Sequence, residues 1–228
     1  MSTTSNKIRK RLIDNDQRFH AGDNISNAIE EGELDELIAE ATVAFQGVLQ
    51  TLVIDTDKDP NSKGTAKRLA KMYINELMAG RYQPRPDVTA FPNIDNHHTS
   101  KYQGMLVIRA EIRSMCSHHH QPVIGTAYIG ILPSDKVIGL SKYARIAQWC
   151  ARRGTLQEEL VQDIMHEIQK ATDARDVAVH IEGRHGCMEN RGVMAHSSLT
   201  QTTALSGQFF NDSIKREFFA NVQMQKMG

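Results

Sequence analysis

Between residues 105 and 205 the apolar positions change their period twice, and this switch constrains the fold more than any other feature of the chain. Met105 to Ser114 alternates, with Leu106, Ile108, Ala110 and Ile112 on one face and Val107, Arg109, Glu111 and Arg113 on the other, the pattern of a half-buried strand. Val123 to Leu132 is rich in β-branched residues and glycine, and Pro133-Ser134-Asp135 turns the chain after it, so the two segments predict a hairpin. Helical spacing then takes over, from about Lys142 to Arg152 and from Thr155 to Thr172, the latter with Leu156, Leu160, Ile164 and Ile168 inward. Alternation returns through Val177, Val179 and Ile181, and the threonine-rich stretch Ser197 to Leu205 is expected to pair with it. Strand, strand, helix, helix, strand, strand is the order of an α+β protein.

The flanks are helical or polar. Residues 1–33 carry Asp14, Asn15, Asp16 and the cluster Glu30-Glu31-Gly32-Glu33 without a sustained apolar period, which predicts a loosely ordered N-terminal arm. From Leu34 to about Leu52 the apolar positions Leu37, Ile38, Ala41, Phe45, Val48 and Leu49 recur at helical spacing. Pro60 lies in a break, and a second helix is expected from Thr65 to Met78, with Gly80 just past its end. These two read as a helical hairpin over 34–81, and residues 82–103, with three prolines, as a long surface loop. A core over 104–208 and a C-terminal helix over 211–224 complete a domain of residues 34–228.

Charge excludes some partners. The chain has 228 residues with 27 basic and 27 acidic side chains, so no net field draws it to nucleic acid or to an anionic membrane. Its apolar runs fall short of the roughly 20 residues of a spanning helix. Residues 1–20 have basic side chains but no apolar segment after them, unlike a secretory signal, so the expected location is the cytoplasm. Three cysteines, Cys116, Cys150 and Cys187, are too few and too scattered for a disulfide framework.

The densest chemical signal is Cys116-Ser117-His118-His119-His120, placed in the turn between two strands. Zinc takes sulfur and imidazole in tetrahedral geometry, and Cys187, in His185-Gly186-Cys187-Met188, is the only other cysteine in loop-like sequence. Three protein ligands with one open position mark a catalytic zinc, whereas a buried thiol beside surface histidines is the plainer alternative. A second cluster, Ser141, Lys142 and Arg145, stands where a helix would begin, with Ser141 at the N-cap. It reads either as a capped, solvated helix start or as an anion cradle, to which Arg191 could add a third cation. A third, Thr155-Leu156-Gln157-Glu158, matches a capping box. Alternatively, Glu158 accepts two hydrogen bonds from the N1 and N2 edge of guanine.

In order and spacing, Ser114-Met115-Cys116-Ser117-His118-His119, Val137-Ile138-Gly139-Leu140-Ser141-Lys142 through Arg145, Gln157-Glu158 and His185-Gly186-Cys187-Met188 with Arg191-Gly192 resemble the successive motifs of GTP cyclohydrolase I. The resemblance runs from about Leu34 to the C-terminal helix. It implies a tunnelling fold, an antiparallel sheet with two helices on one side that joins neighbouring subunits into a barrel, here a homodecamer of two pentamers with active sites between subunits. It implies hydrolysis of GTP at C8, release of formate and formation of 7,8-dihydroneopterin triphosphate. By position, Cys116, His119 and Cys187 would hold Zn2+, and His118 and His185 would handle protons, with Ser141 counted among the catalytic groups. Lys142, Arg145 and Arg191, together with Ser141, would hold the triphosphate and ribose side, and Gln157 and Glu158 the guanine. The chain departs from the family at Ser117, where glutamate is usual, at Ala66, where proline is common, and at His120, where an apolar residue is usual. Two rival readings are a different purine or pterin enzyme on the same fold and a purely structural zinc with His118 or His185 as fourth ligand.

Overall fold

The computed structural model describes residues 3–94 and 101–227, and it divides into two compact units, Met1–Pro84 and Arg85–Gly228. In the first, α1 (Thr4–Asp14) and a 3-10 turn (Ser26–Ala28) precede α2 (Glu33–Thr51) and α3 (Thr65–Lys71). The chain runs on through a π-helical turn, Met72–Leu77, into the short α4 (Ala79–Tyr82). Gly32 and Gly64 adopt left-handed φ values of 84° and 77° immediately before α2 and α3, a conformation glycine takes without a Cβ penalty. Ile38 of α2 packs with Ala70 and Ile74 to close the expected hairpin.

The N-terminal arm is more ordered than its sequence predicts. Ile8 and Leu12 of α1 are buried with Ile25 and Ala28. Carboxylates of α2 satisfy the orphan amides at the start of α1: Glu40 accepts from the backbone of Ser5 at 3.2 Å and also from Thr4. Two apolar residues one turn apart are too few to show a period, and the stabilising carboxylates lie more than thirty residues away. The second helix of the hairpin is likewise interrupted, because the π turn at Met72–Leu77 breaks the regular ladder before Gly80.

The second unit holds β1 (Ala90–Pro92), β2 (Leu106–Met115), β3 (Pro122–Ile131), β4 (Lys136–Ile138), α5 (Leu140–Ala151), α6 (Gln157–Thr172), β5 (Val177–His185), α7 (Gly186–Glu189), β6 (Thr200–Leu205) and α8 (Asp212–Met227). The main sheet has the order β2-β3-β5-β6, every pair antiparallel, with β6 on β5 as expected. β1 and β4 form a separate two-stranded ribbon, so the expected 82–103 loop contains a strand, and its residues 95–100 lie outside the described residues.

Alternation along the strands separates two cores. Ala127, Ile129 and Ile131 of β3 and Val177, Val179 and Ile181 of β5 face α5 and α6, where Tyr143, Ile146, Leu160, Ile164 and Ile168 are buried. Tyr128 and Ala178, on the opposite face, pack with Phe218 and Val222 of α8. The two-helix layer therefore covers one face, as expected, and the C-terminal helix α8 covers part of the other. Gly130 makes room for it, since a Cβ there would stand 2.6 Å from the Phe218 ring.

Candidate metal and catalytic site

Topology alone brings the two cysteine segments together. β2 and β5 flank β3 and run antiparallel to it, so both end where β3 begins. Cys116 follows the last residue of β2, in a tight turn that its own N–H closes onto the Gln121 carbonyl at 2.9 Å. His185 ends β5 opposite Val123, and Cys187 sits one residue into the single turn α7. One ligand atom from each of Cys116, His185 and Cys187 lies within 4.8 Å of the other two.

The donor set fits a metal. Bonds of 2.0–2.3 Å in tetrahedral geometry place ligand atoms roughly 3.3–3.8 Å apart, inside the 4.8 Å within which these three atoms are gathered. Two thiols and an imidazole favour zinc over the oxygen-seeking cations. Cys116 is buried and Cys187 half-buried, and burial together with the neighbouring Cys116 sulfur raises the Cys187 thiol above its ordinary pKa. Burial also lowers His185, against the charges of Glu158 and Glu189, which favour its protonated form.

The imidazole in this group is His185, not His119. His118, His119 and His120 all face solvent on the Cys116–Gln121 turn, because that turn projects beyond the end of the sheet. The His118 and His119 rings meet edge to face, 6.4 Å apart. Gln157 joins the group instead: its Oε1 lies 2.8 Å from His185 Nε2, while Glu158, next to it, is exposed.

Other expectations at the start of the helices change. The capping box is not formed: Leu156 is the N-cap of α6, without a side-chain bond, and Thr155 donates to Glu159 at 2.8 Å. Thr155 and Gln157 are buried, which turns their polar atoms inward. Gly139, not Ser141, is the N-cap of α5. Ser141 and Arg145 are exposed on its first turns, and the Lys142 ammonium donates to the Asp87 carbonyl at 2.8 Å. Among the described residues no hydrogen bond or ion pair joins these three to the cysteine pair. Arg191 is exposed, and its charge acts on Cys187.

Sequence reading missed Thr200 and Thr202, whose carbonyl and hydroxyl each lie 3.1 Å from Gln157 Nε2. The threonine run of β6 was the available signal. It also missed a polar cluster on the other face of the sheet. There buried His180 bonds Thr203 at 2.8 Å, and Glu182 accepts from Lys226 of α8 at 2.5 Å.

Fold and site together define an α+β protein that gathers a soft cysteine–histidine donor set at one end of an antiparallel sheet. The family profile described as GTP cyclohydrolase I matches residues 41–223. The GTP cyclohydrolase 1 of Flavobacterium johnsoniae is 36% identical over 211 residues, spanning 90% of this chain and 92% of that protein. That of Aeromonas hydrophila is 38% identical over 182 residues, 78% of this chain and 81% of its own. The chain belongs to the GTP cyclohydrolase I family. A solved archaeosine synthase QueF-Like structure, 16% identical, covers 47% of this chain and 97% of its own at a TM-score of 0.40, a likeness too weak to bear on function.

Proposed function

We propose that the chain is a zinc-dependent GTP cyclohydrolase I, which attacks GTP at C8, releases formate and forms 7,8-dihydroneopterin triphosphate. The observation that carries this reading is the convergence of Cys116, His185 and Cys187 at the end of the sheet in a member of that family. Zinc bound there supplies Lewis acidity, the property that makes water acidic enough to attack near neutral pH.

The ligands proposed are Cys116, Cys187 and His119. His185 is held by Gln157 at 2.8 Å, whereas His119 is exposed three residues after Cys116 and can turn toward the sulfurs. That division leaves His185, with His118, to take and return protons at the guanine ring. Glu158 is within electrostatic reach of His185 and supplies a carboxylate for the two adjacent N–H donors of guanine. Ser141, Lys142, Arg145 and Arg191 are proposed to hold the triphosphate and ribose, as a hydroxyl and three cations suit that charge.

The solvent exposure of His118, Glu158, Arg145 and Arg191 supports a site completed by a neighbouring subunit. β2 and β6 each leave one edge unpaired within the main sheet, which favours barrel closure between copies. A decamer of two pentamers and a cytoplasmic location complete the proposal. No helix among the described residues is long and apolar enough to cross a membrane.

The deciding experiment incubates purified protein with GTP, with and without chelator, and follows formate and the fluorescence of the oxidised pterin. Both products are expected, and both should vanish with chelator or in Cys187→Ala. Zinc bound at one ion per chain with neither product would end the GTP assignment. A closed structural zinc is the second reading, favoured by one observation: three donors already converge without His119, which would then make a fourth. It predicts metal retention without turnover.

A further inference from the structure

The hydrogen bonds of Gln157 determine which of its ends faces His185. The amide, first residue of α6, is 2% exposed, and its Nε2 lies 3.1 Å from the Thr200 carbonyl, 3.1 Å from the Thr202 hydroxyl and 3.4 Å from the Ile181 carbonyl. Carbonyl oxygens only accept, so the end among them is the NH2 group. The other end, 2.8 Å from His185 Nε2, is therefore an oxygen that can only accept. A ring nitrogen facing it must carry a hydrogen.

From this we infer that Gln157 is a positioning residue that locks neutral His185 as the Nε2–H tautomer, so that its one lone pair is at Nδ1. A neutral imidazole has one N–H and one lone pair, and the bond made by one nitrogen sets the state of the other. Gly183 makes room for the lock: a Cβ there would stand 2.5 Å from Gln157 Oε1 and 3.1 Å from Val123. Any proton taken, or metal bound, by neutral His185 then goes through Nδ1.

The same geometry removes Gln157 from the guanine contacts implied by family resemblance. Its two N–H hydrogens are shared among three protein acceptors, so none is left for a base. Glu158 alone then reads the guanine edge from this helix start. This catalytic consequence rests on the cyclohydrolase reading, whereas the tautomer does not.

The test is a two-bond 1H–15N correlation spectrum of metal-free protein labelled with 15N-histidine, at pH 8, with the His185 signals assigned by their loss in His185→Gln. The expected pattern is protonated Nε2 and unprotonated Nδ1. A majority Nδ1–H form, or an even mixture, overturns the inference whether or not the protein acts on GTP. In Gln157→Leu the Nε2–H preference should collapse, and kcat should fall about 10- to 100-fold with KM for GTP changed less than about threefold. A raised KM at unchanged kcat would make Gln157 a guanine contact and sink the positioning role. Thr202→Val, which removes one acceptor without touching His185, should shift both readouts the same way by less. An unchanged tautomer in both variants also overturns the lock.

Discussion

The three cysteines have different environments and should react differently. Cys150 lies inside α5 with no exposed surface, and burial pushes its thiol up to about 12. Reactivity belongs to the thiolate, so in folded, metal-free protein iodoacetamide should reach Cys187 first and leave Cys150 unmodified. Mass spectrometry of the labelled peptides reads this order, and early loss of Cys150 would mean that α5 opens. Cys187→Ser replaces a soft donor by a hard one and should lower zinc affinity at least tenfold, measured by competition with a chromogenic chelator. At Ser117, where the family usually has glutamate, the half-buried side chain sits beside Cys116. Among the described residues, no hydrogen bond or ion pair explains that difference.

At the scale of elements, aromatic packing and an ionic cluster are among the contacts that hold α8 on the sheet. Phe218 is fully buried and meets Phe209 edge to face at 5.7 Å. Phe218→Ala should destabilise the protein by about 3–5 kcal/mol, read by urea denaturation. Gly130→Val should dislodge the same helix, since β-branched atoms would enter the ring's space. Beside Phe219 of the same helix, burial pushes His180 below the ordinary imidazole pKa, only partly opposed by Glu182, so the folded state prefers it neutral. Burial alone would raise Glu182, but bonds from Lys226 and Gln201 outweigh it and hold the carboxyl low. Both folded values lie below their unfolded ones, so both contributions are present at neutral pH and shrink as pH falls, His180's beginning below about 6.5 and Glu182's below about 4.5. His180→Gln should therefore flatten the stability profile between pH 7 and 5. A variant as steep as the parent would assign that slope to other groups.

For the whole molecule, the unpaired edges of β2 and β6 and an exposed isoleucine bear on assembly. Ile124, on the central strand β3, is 53% exposed on the face that α8 covers only in part. Light scattering after gel filtration should find a species near ten times the chain mass. Ile124→Asp should shift it toward smaller forms while circular dichroism keeps its α+β signature. A monodisperse monomer with full activity would exclude a site shared between subunits.

How much of this was legible depends on the range of the interactions. Period-2 and period-3.6 patterns report local burial, so β2, β3, α5, α6 and β5 were readable to within a few residues, as was the pairing of β6 with β5. The cysteine and histidine motifs were readable because their residue types are rare and chemically specific. The family followed from their order along the chain. What the sequence could not express was contact between distant segments. The carboxylates of α2 order α1, and Phe218 chooses the second face of the sheet across from Gly130. The Gln157 amide, read locally as part of a helix cap, turns inward because carbonyls from β5 and β6 converge on it. Sequence alone determined the two cysteines and the succession of strands and helices along the chain. Tertiary structure decided which imidazole stands beside the sulfurs, because strand register carried His185 inward and left His119 on a turn beyond the sheet.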